Sequence, residues 1–151
     1  MKNTNEVTKL LNTLLAQSID ASSQAKYAHW NVRGAHFYTY HKLFDEIFEN
    51  LTKQSDQIAE RISGLESHVD STPQQVISNS TLPTFPQNLI KDLEFLEKLA
   101  RPLETFSENI KTDIDKVSNL NDKVTSDMLS MIALDIDKYV WFLKAHLEKP
   151  I

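Results

Sequence analysis

Residues 37–65 read FYTYHKLFDEIFENLTKQSDQIAERISGL. Apolar side chains fall at Phe37, Tyr40, Phe44, Ile47, Phe48, Leu51, Ile58 and Ile62, intervals of three and four that gather on one face of an α-helix. Gly64 stands near the predicted end. The ionisable residues are as regularly spaced: His41 and Asp45 lie four apart, as do Asp56 and Glu60. Each pair projects from a single helix face, as two ligands of one metal ion must, although such pairs are also common on solvated surfaces.

Working outward, residues 4–33 carry a second stripe at Val7, Leu10, Leu11, Leu14, Leu15, Ile19, Ala25 and Ala28, with Gly34 placed to cap that helix at its C-terminus. Between Glu66 and Pro86 the stripe gives way to Ser, Thr, Asn, Gln and three prolines. This is a connection crossing the bundle, and Thr72 followed by Pro73 predicts an N-cap and first position for a short helix over 73–79. A third long helix is predicted over 88–117, through Leu89, Leu93, Leu96, Ala100, Leu103, Phe106, Ile110, Ile114 and Val117. Its register continues past Pro102, which favours a kink over a break. After a turn at 119–122, a fourth runs over 123–149 through Val124, Met128, Met131, Ile132, Ile136, Tyr139, Val140, Leu143 and Leu147, with Met128 and Met131 read as core fillers. Four long helices with a long middle connection predict an all-α four-helix bundle, a single domain over 1–151.

Composition agrees. The chain has 151 residues, 2 Gly, 5 Pro and no Cys. So few turn formers argue against a sheet-rich sandwich, and the lack of thiols excludes disulfides, thiolate metal sites and cysteine nucleophiles. The 16 basic and 21 acidic residues leave a net charge of −5, which disfavours a surface that clamps nucleic acid. Lys2 and Lys9 against Glu6 make only a weak basic arm. No membrane span or signal-peptide apolar core is visible, so a cytoplasmic location is expected.

Spacing also predicts how the ligands are used. Asp45 and Asp56 are 11 residues apart, about 16 Å along a helix at roughly 1.5 Å per residue, too far to share an ion within one chain. The midpoint of 45 and 56 is 50.5, and that of 41 and 60 is the same. Two copies packed antiparallel about a dyad near Asn50–Leu51 would bring His41 and Asp45 of one chain to Asp56 and Glu60 of the other, twice over. Carboxylate and imidazole donors suit iron, manganese or zinc.

The segments His29-Trp30-Asn31-Val32-Arg33-Gly34, then Phe37, His41, Phe44-Asp45 and Asp56-x-x-Ala59-Glu60-Arg61 resemble the signature of the Dps family, the mini-ferritins. The spacing His29-x11-His41-x3-Asp45-x10-Asp56-x3-Glu60 fits the family pattern without a gap. The resemblance implies a ferritin-like bundle assembled into a dodecameric hollow shell, with catalytic metal ligands His29, His41 and Asp45 from one subunit and Asp56 and Glu60 from its neighbour. It further implies oxidation of Fe(II), preferably by hydrogen peroxide with dioxygen as the other oxidant, and storage of ferric mineral that limits oxidative stress. Trp30, beside a ligand, is either a packing residue or, as in relatives, a redox-active aromatic. Asp122 and Asp127 resemble the acids of a threefold pore, though helix capping explains them equally and Lys123 departs from the more acidic family pattern. Arg61 is expected in an interface ion pair, and Trp141 in packing. His36, His68 and His146 lack carboxylates at ligand spacing and read as surface residues. The rival reading is a nucleoid protein that protects DNA, which here lacks a lysine-rich tail. A di-iron site inside one bundle would need Glu-x-x-His motifs, and none occurs.

Overall fold

The computed structural model describes residues 2–89 and 91–147. Among them are five helices and no strand: α1 (Lys2–Asn31), α2 (Phe37–Gly64), α3 (Pro73–Asn79), α4 (Asp92–Asn119) and α5 (Lys123–Ala145). The long helices pair as two hairpins, α1 with α2 and α4 with α5, joined mainly where α1 lies on α4, while α3 rests on α1. The stripes meet in one core in which Leu11, Leu14, Phe44, Ile47, Leu51, Leu99, Leu103, Phe106, Ile110, Leu129 and Ile136 are fully buried. Each such side chain contributes about 1.5–3 kcal/mol on leaving water.

The short helix matches its predicted bounds because Thr72 and Gln75 cap it reciprocally. The Gln75 amide donates to Thr72 Oγ1 at 3.4 Å, and the Thr72 amide to Gln75 Oε1 at 3.0 Å. Other ends differ from expectation. α1 stops at Asn31, so Gly34 is not its cap; it lies in the following turn at φ +132°, where an added Cβ would stand 2.7 Å from Asp92 Oδ2. Beyond α2 the left-handed residue is Glu66 at φ 57°, not Gly64. α4 begins at Asp92 rather than residue 88, since Asn88 is left-handed at φ 66° and the Lys91 amide donates to Glu94 Oε2 at 3.2 Å, starting the helix there. The helix continues through the buried Pro102 and ends two residues later than expected. Asn121 then turns the chain at φ 64° so that the Asp122 amide reaches the Val117 carbonyl at 3.3 Å. α5 ends at Ala145; the predicted extension to residue 149 leaves the described residues after Leu147.

Part of the apolar pattern faces out. Met131 is 64% exposed and so is not a core filler, and Val124, Leu134 and Trp141 are exposed with it along one side of α5. Leu93 and Leu147 are also exposed. No described helix is long and apolar enough to cross a membrane.

Candidate metal centre

The last turn of α1 and the first turns of α2 bring His29 and His41 face to face. Their rings stack with centroids 3.7 Å apart and planes 16° off parallel, and Phe37 stacks on His41 at 4.9 Å. Each imidazole is tied to the other's backbone. His29 Nδ1–H donates to the His41 carbonyl at 2.7 Å, and His41 Nδ1–H donates to the His29 carbonyl at 2.8 Å. A carbonyl only accepts, so both protons sit on Nδ1, and in the neutral rings both Nε2 lone pairs are left for a ligand. Fixing the far nitrogen in this way orients a metal-binding imidazole and raises its basicity. The tight turn that allows the crossing depends on Gly34, whose backbone lies against Asp92. Asp92 Oδ2 accepts the His36 amide at 3.3 Å, which pins the turn to the start of α4.

Asp45 follows His41 by one helical turn and is half-buried. Its Oδ1 accepts from Lys26 Nζ at 2.6 Å. That bond, with the nearby histidines, holds the carboxyl below the usual carboxylate range against a smaller opposing effect of burial. Lys26 is the residue at this site that sequence reasoning missed. Its signal lay in the hairpin: Lys26 precedes His29 by three residues on α1, just as Asp45 follows His41 by four on α2.

Asp56 and Glu60 are both exposed, and neither has a hydrogen-bond or ion-pair partner among the described residues. Within one chain the five expected ligands therefore form two separate groups on α2 and the end of α1. Among the described residues no three His, Asp or Glu side chains gather closely enough to hold an ion. The donor set nonetheless suits iron: two oriented imidazoles plus carboxylates, with no soft ligand.

The remaining candidates separate clearly. Trp30 is 68% exposed, and Lys26 Nζ stands 5.9 Å from its ring centroid. Asp122 is the N-cap of α5. Its Oδ1 accepts the Thr125 amide at 3.0 Å, its Oδ2 the Thr125 hydroxyl at 2.6 Å, and both oxygens accept Arg61 Nη2, at 3.0 and 3.1 Å. Arg61 thus makes an ion pair within the chain. Asp127 is exposed. His36, His68 and His146 are also exposed, and Trp141 is 64% so.

The sequence matches the family model of the ferritin-like domain over residues 8–150. The DNA protection during starvation protein of Agrobacterium fabrum is 32% identical over 140 residues, covering 93% of this chain and 86% of that protein. The protein of the same name from Listeria innocua is 31% identical over 122 residues, 80% and 78% of the two chains. Among solved structures, the tetragonal form of Mycobacterium smegmatis Dps superposes with a TM-score of 0.94 at 30% identity, covering 98% of this chain and 90% of that one. The Deinococcus radiodurans Dps92 structure gives 0.93 at 26% identity, covering 99% and 90%.

Proposed function

The chain belongs to the Dps group of the ferritin-like family, and from that premise we propose that it is an iron-oxidising, iron-storing protein whose ferroxidase centres lie across a twofold subunit interface. The observation that carries this reading is the division of the ligands. His29 and His41 are locked together with their Nε2 atoms free, and the acids Asp56 and Glu60 stand exposed further along α2, Asp56 about 16 Å beyond Asp45 by the rise per residue. A dyad at position 50.5 unites one chain's imidazoles and Asp45 with the partner subunit's Asp56 and the partner subunit's Glu60.

Fe(II) is the substrate. The imidazoles bind it through Nε2, and the carboxylates neutralise its charge and favour the ferric product. Two Fe(II) ions lose one electron each; one hydrogen peroxide takes up both electrons and two protons and leaves as two waters. Passing the electrons in a pair limits release of hydroxyl radical. The ferric product is stored as mineral inside a twelve-subunit shell. The apolar side of α5, with Val124, Met131, Leu134 and Trp141 exposed, supports assembly with other subunits. Asp127, exposed near the start of α5, attracts incoming cations. Asp122 is a weaker candidate for the pore because its oxygens already accept four hydrogen bonds. Trp30, beside His29, is placed to give an electron or trap a radical. The net charge of −5 supports weak DNA binding at most, and a cytoplasmic location fits this chemistry.

The test is stopped-flow oxidation of Fe(II) by the assembled protein, with peroxide and dioxygen compared and ferric mineral followed by absorbance. Fast, peroxide-preferring oxidation that yields soluble mineral is expected. Oxidation no faster than in buffer overturns the proposal.

A further inference from the structure

One stretch of the chain is free of charge. Between Ser71 and Ile90 there is no Asp, Glu, Lys, Arg or His, in a sequence of which 25% is Asp, Glu, Lys or Arg. Charge is depleted where one protein surface is covered by another. α3 lies in this stretch, fixed by its reciprocal cap and by Val76, which is buried while α3 rests on α1. The next residue, Ile77, is turned outward and is 79% exposed, the highest value of any large apolar side chain among the described residues. A branched side chain held out on a fixed turn of helix loses little freedom on docking. Beside the start of α3 lies an apolar cleft of about 390 Å³ between α1 and α2. Leu15, Ile19 and Ala59 give its apolar surface, Lys53 and Asp56 its charged rim, and Ser71, one residue before the cap of α3, its edge.

We propose that this cleft receives the partner subunit's Ile77, so that a pair of apolar anchors closes the twofold interface beside the shared centres. The inference rests on the intersubunit reading of the centre and continues that interface. Thr52 and Asp56 line the cleft; they lie 1.5 and 5.5 residues from the dyad at 50.5, about 2 and 8 Å along α2. The two clefts of a dimer therefore flank the axis. So do the two copies of α3, each of which begins at the edge of its own chain's cleft. Ile77 stands four residues past Pro73, about 6 Å along α3, and its exposure shows that it leaves its own cleft open. A second copy of the chain supplies what fits there: an apolar knob on an uncharged surface, facing an apolar hole with a charged rim. Docking covers the turn of α2 that carries Asp56, so the contact that anchors the dimer also holds this acid toward the neighbouring histidines. Each anchor strengthens the dimer by roughly 10- to 100-fold, the range for burying one side chain of this size.

The chain has no cysteine, so introduced thiols report the contact directly. In the metal-free protein, Ile77→Cys combined with Ala59→Cys should give a covalent dimer under mild oxidation, read on a non-reducing gel, whereas Ile77→Cys alone should not. Sedimentation over a dilution series should show Ile77→Asp dissociating at a concentration at least about 10-fold above wild type, with Ile77→Leu close to wild type. Ile77 is exposed in the subunit, so these variants should keep their helix content, which circular dichroism checks. Dissociation of Ile77→Asp at the wild-type concentration overturns the inference. So does a disulfide closed within one chain, an equal yield of dimer from Ile77→Cys alone, or no link in folded chains that still dimerise. The centre is tested apart, by co-refolding His41→Ala with Asp56→Ala chains. Recovered Fe(II) oxidation without a 77–59 link leaves the shared centre standing and removes the Ile77 contact. No recovery overturns the reading of the centre, and this inference with it.

Discussion

Two sets of acids, one in each helical hairpin, are treated in opposite ways. On α4–α5 a set of acids is answered within the chain. Asp122 is held by Thr125 and Arg61, Asp137 by Lys111 and Ser107, and Glu104 by Lys144. On α2, Asp56 and Glu60 are exposed and have no partner among the described residues, although Lys53 lies three residues before Asp56. An acid with an internal partner contributes to the fold. An unanswered acid contributes little to the stability of one chain and is open to a ligand from outside it. Asp45, paired with Lys26, belongs with the answered acids although it lies on α2.

Substitutions should separate the two kinds of residue by stability. The largest expected effect is at Gly34. Its φ of +132° and the 2.7 Å approach of an added Cβ to Asp92 Oδ2 make Gly34→Ala costly by about 2–3 kcal/mol. For a domain of this size that lowers Tm by roughly 5–10 °C, measured by thermal unfolding. A smaller drop would mean that the turn beneath the histidines yields more easily than its geometry implies.

Asp122 comes next. Asp122→Ala removes a helix cap and leaves Arg61 without its carboxylate, costing about 1–2 kcal/mol in denaturant titration. The position also predicts a pH dependence. Burial pushes the Asp122 carboxyl up, but the Thr125 hydroxyl and amide and the Arg61 guanidinium outweigh it, and the net shift is downward. A depressed folded value means that the stabilisation is full above the unfolded carboxyl range near pH ~3.9. It is then lost as pH falls through the folded value. Asp122→Asn, which can still cap, should flatten this acid limb; an unchanged limb would place the acid sensitivity elsewhere.

The smallest effect should come from the unanswered acids. Asp56→Asn and Glu60→Gln should each change the subunit's stability by no more than about 0.5 kcal/mol while abolishing rapid Fe(II) oxidation. A loss near that of Asp122→Ala would erase the distinction between the hairpins.

Much of this was legible in residue spacing. The three- and four-residue intervals located all four long helices, Thr72-Pro73 located the short one, and His41, Asp45, Asp56 and Glu60 declared a shared midpoint. What spacing could not convey depends on how helices are rotated against one another. The reciprocal Nδ1 bonds of His29 and His41, the Lys26–Asp45 pair and the Arg61–Asp122 clamp each require two helices in a fixed relation. Gly34 was read as a cap because glycine usually ends helices, but its neighbour Asp92 lies 58 residues away in sequence. The exposed side of α5 was hidden for a related reason. Met131 and Val124 extend the apolar pattern of the core-facing residues, and only the packing of α5 on α4 shows which of them turn outward.

The claim that each centre is built from two chains is tested most directly by complementation. His41→Ala and Asp56→Ala should each abolish rapid peroxide-driven oxidation in homogeneous assemblies, since every centre needs one residue of each kind. Co-expressed or co-refolded together, the two inactive chains should regain activity. A mixed dimer has one centre lacking both residues and one combining the intact His29, His41 and Asp45 of the Asp56→Ala chain with the intact Asp56 and Glu60 of the other. Random pairing makes about half of the dimers mixed, so recovery should approach about one quarter of wild type if the centres act independently. No recovery in verified mixed dimers of folded chains would contradict the shared centre, and full activity of either variant alone would remove its substituted residue from the ligand set.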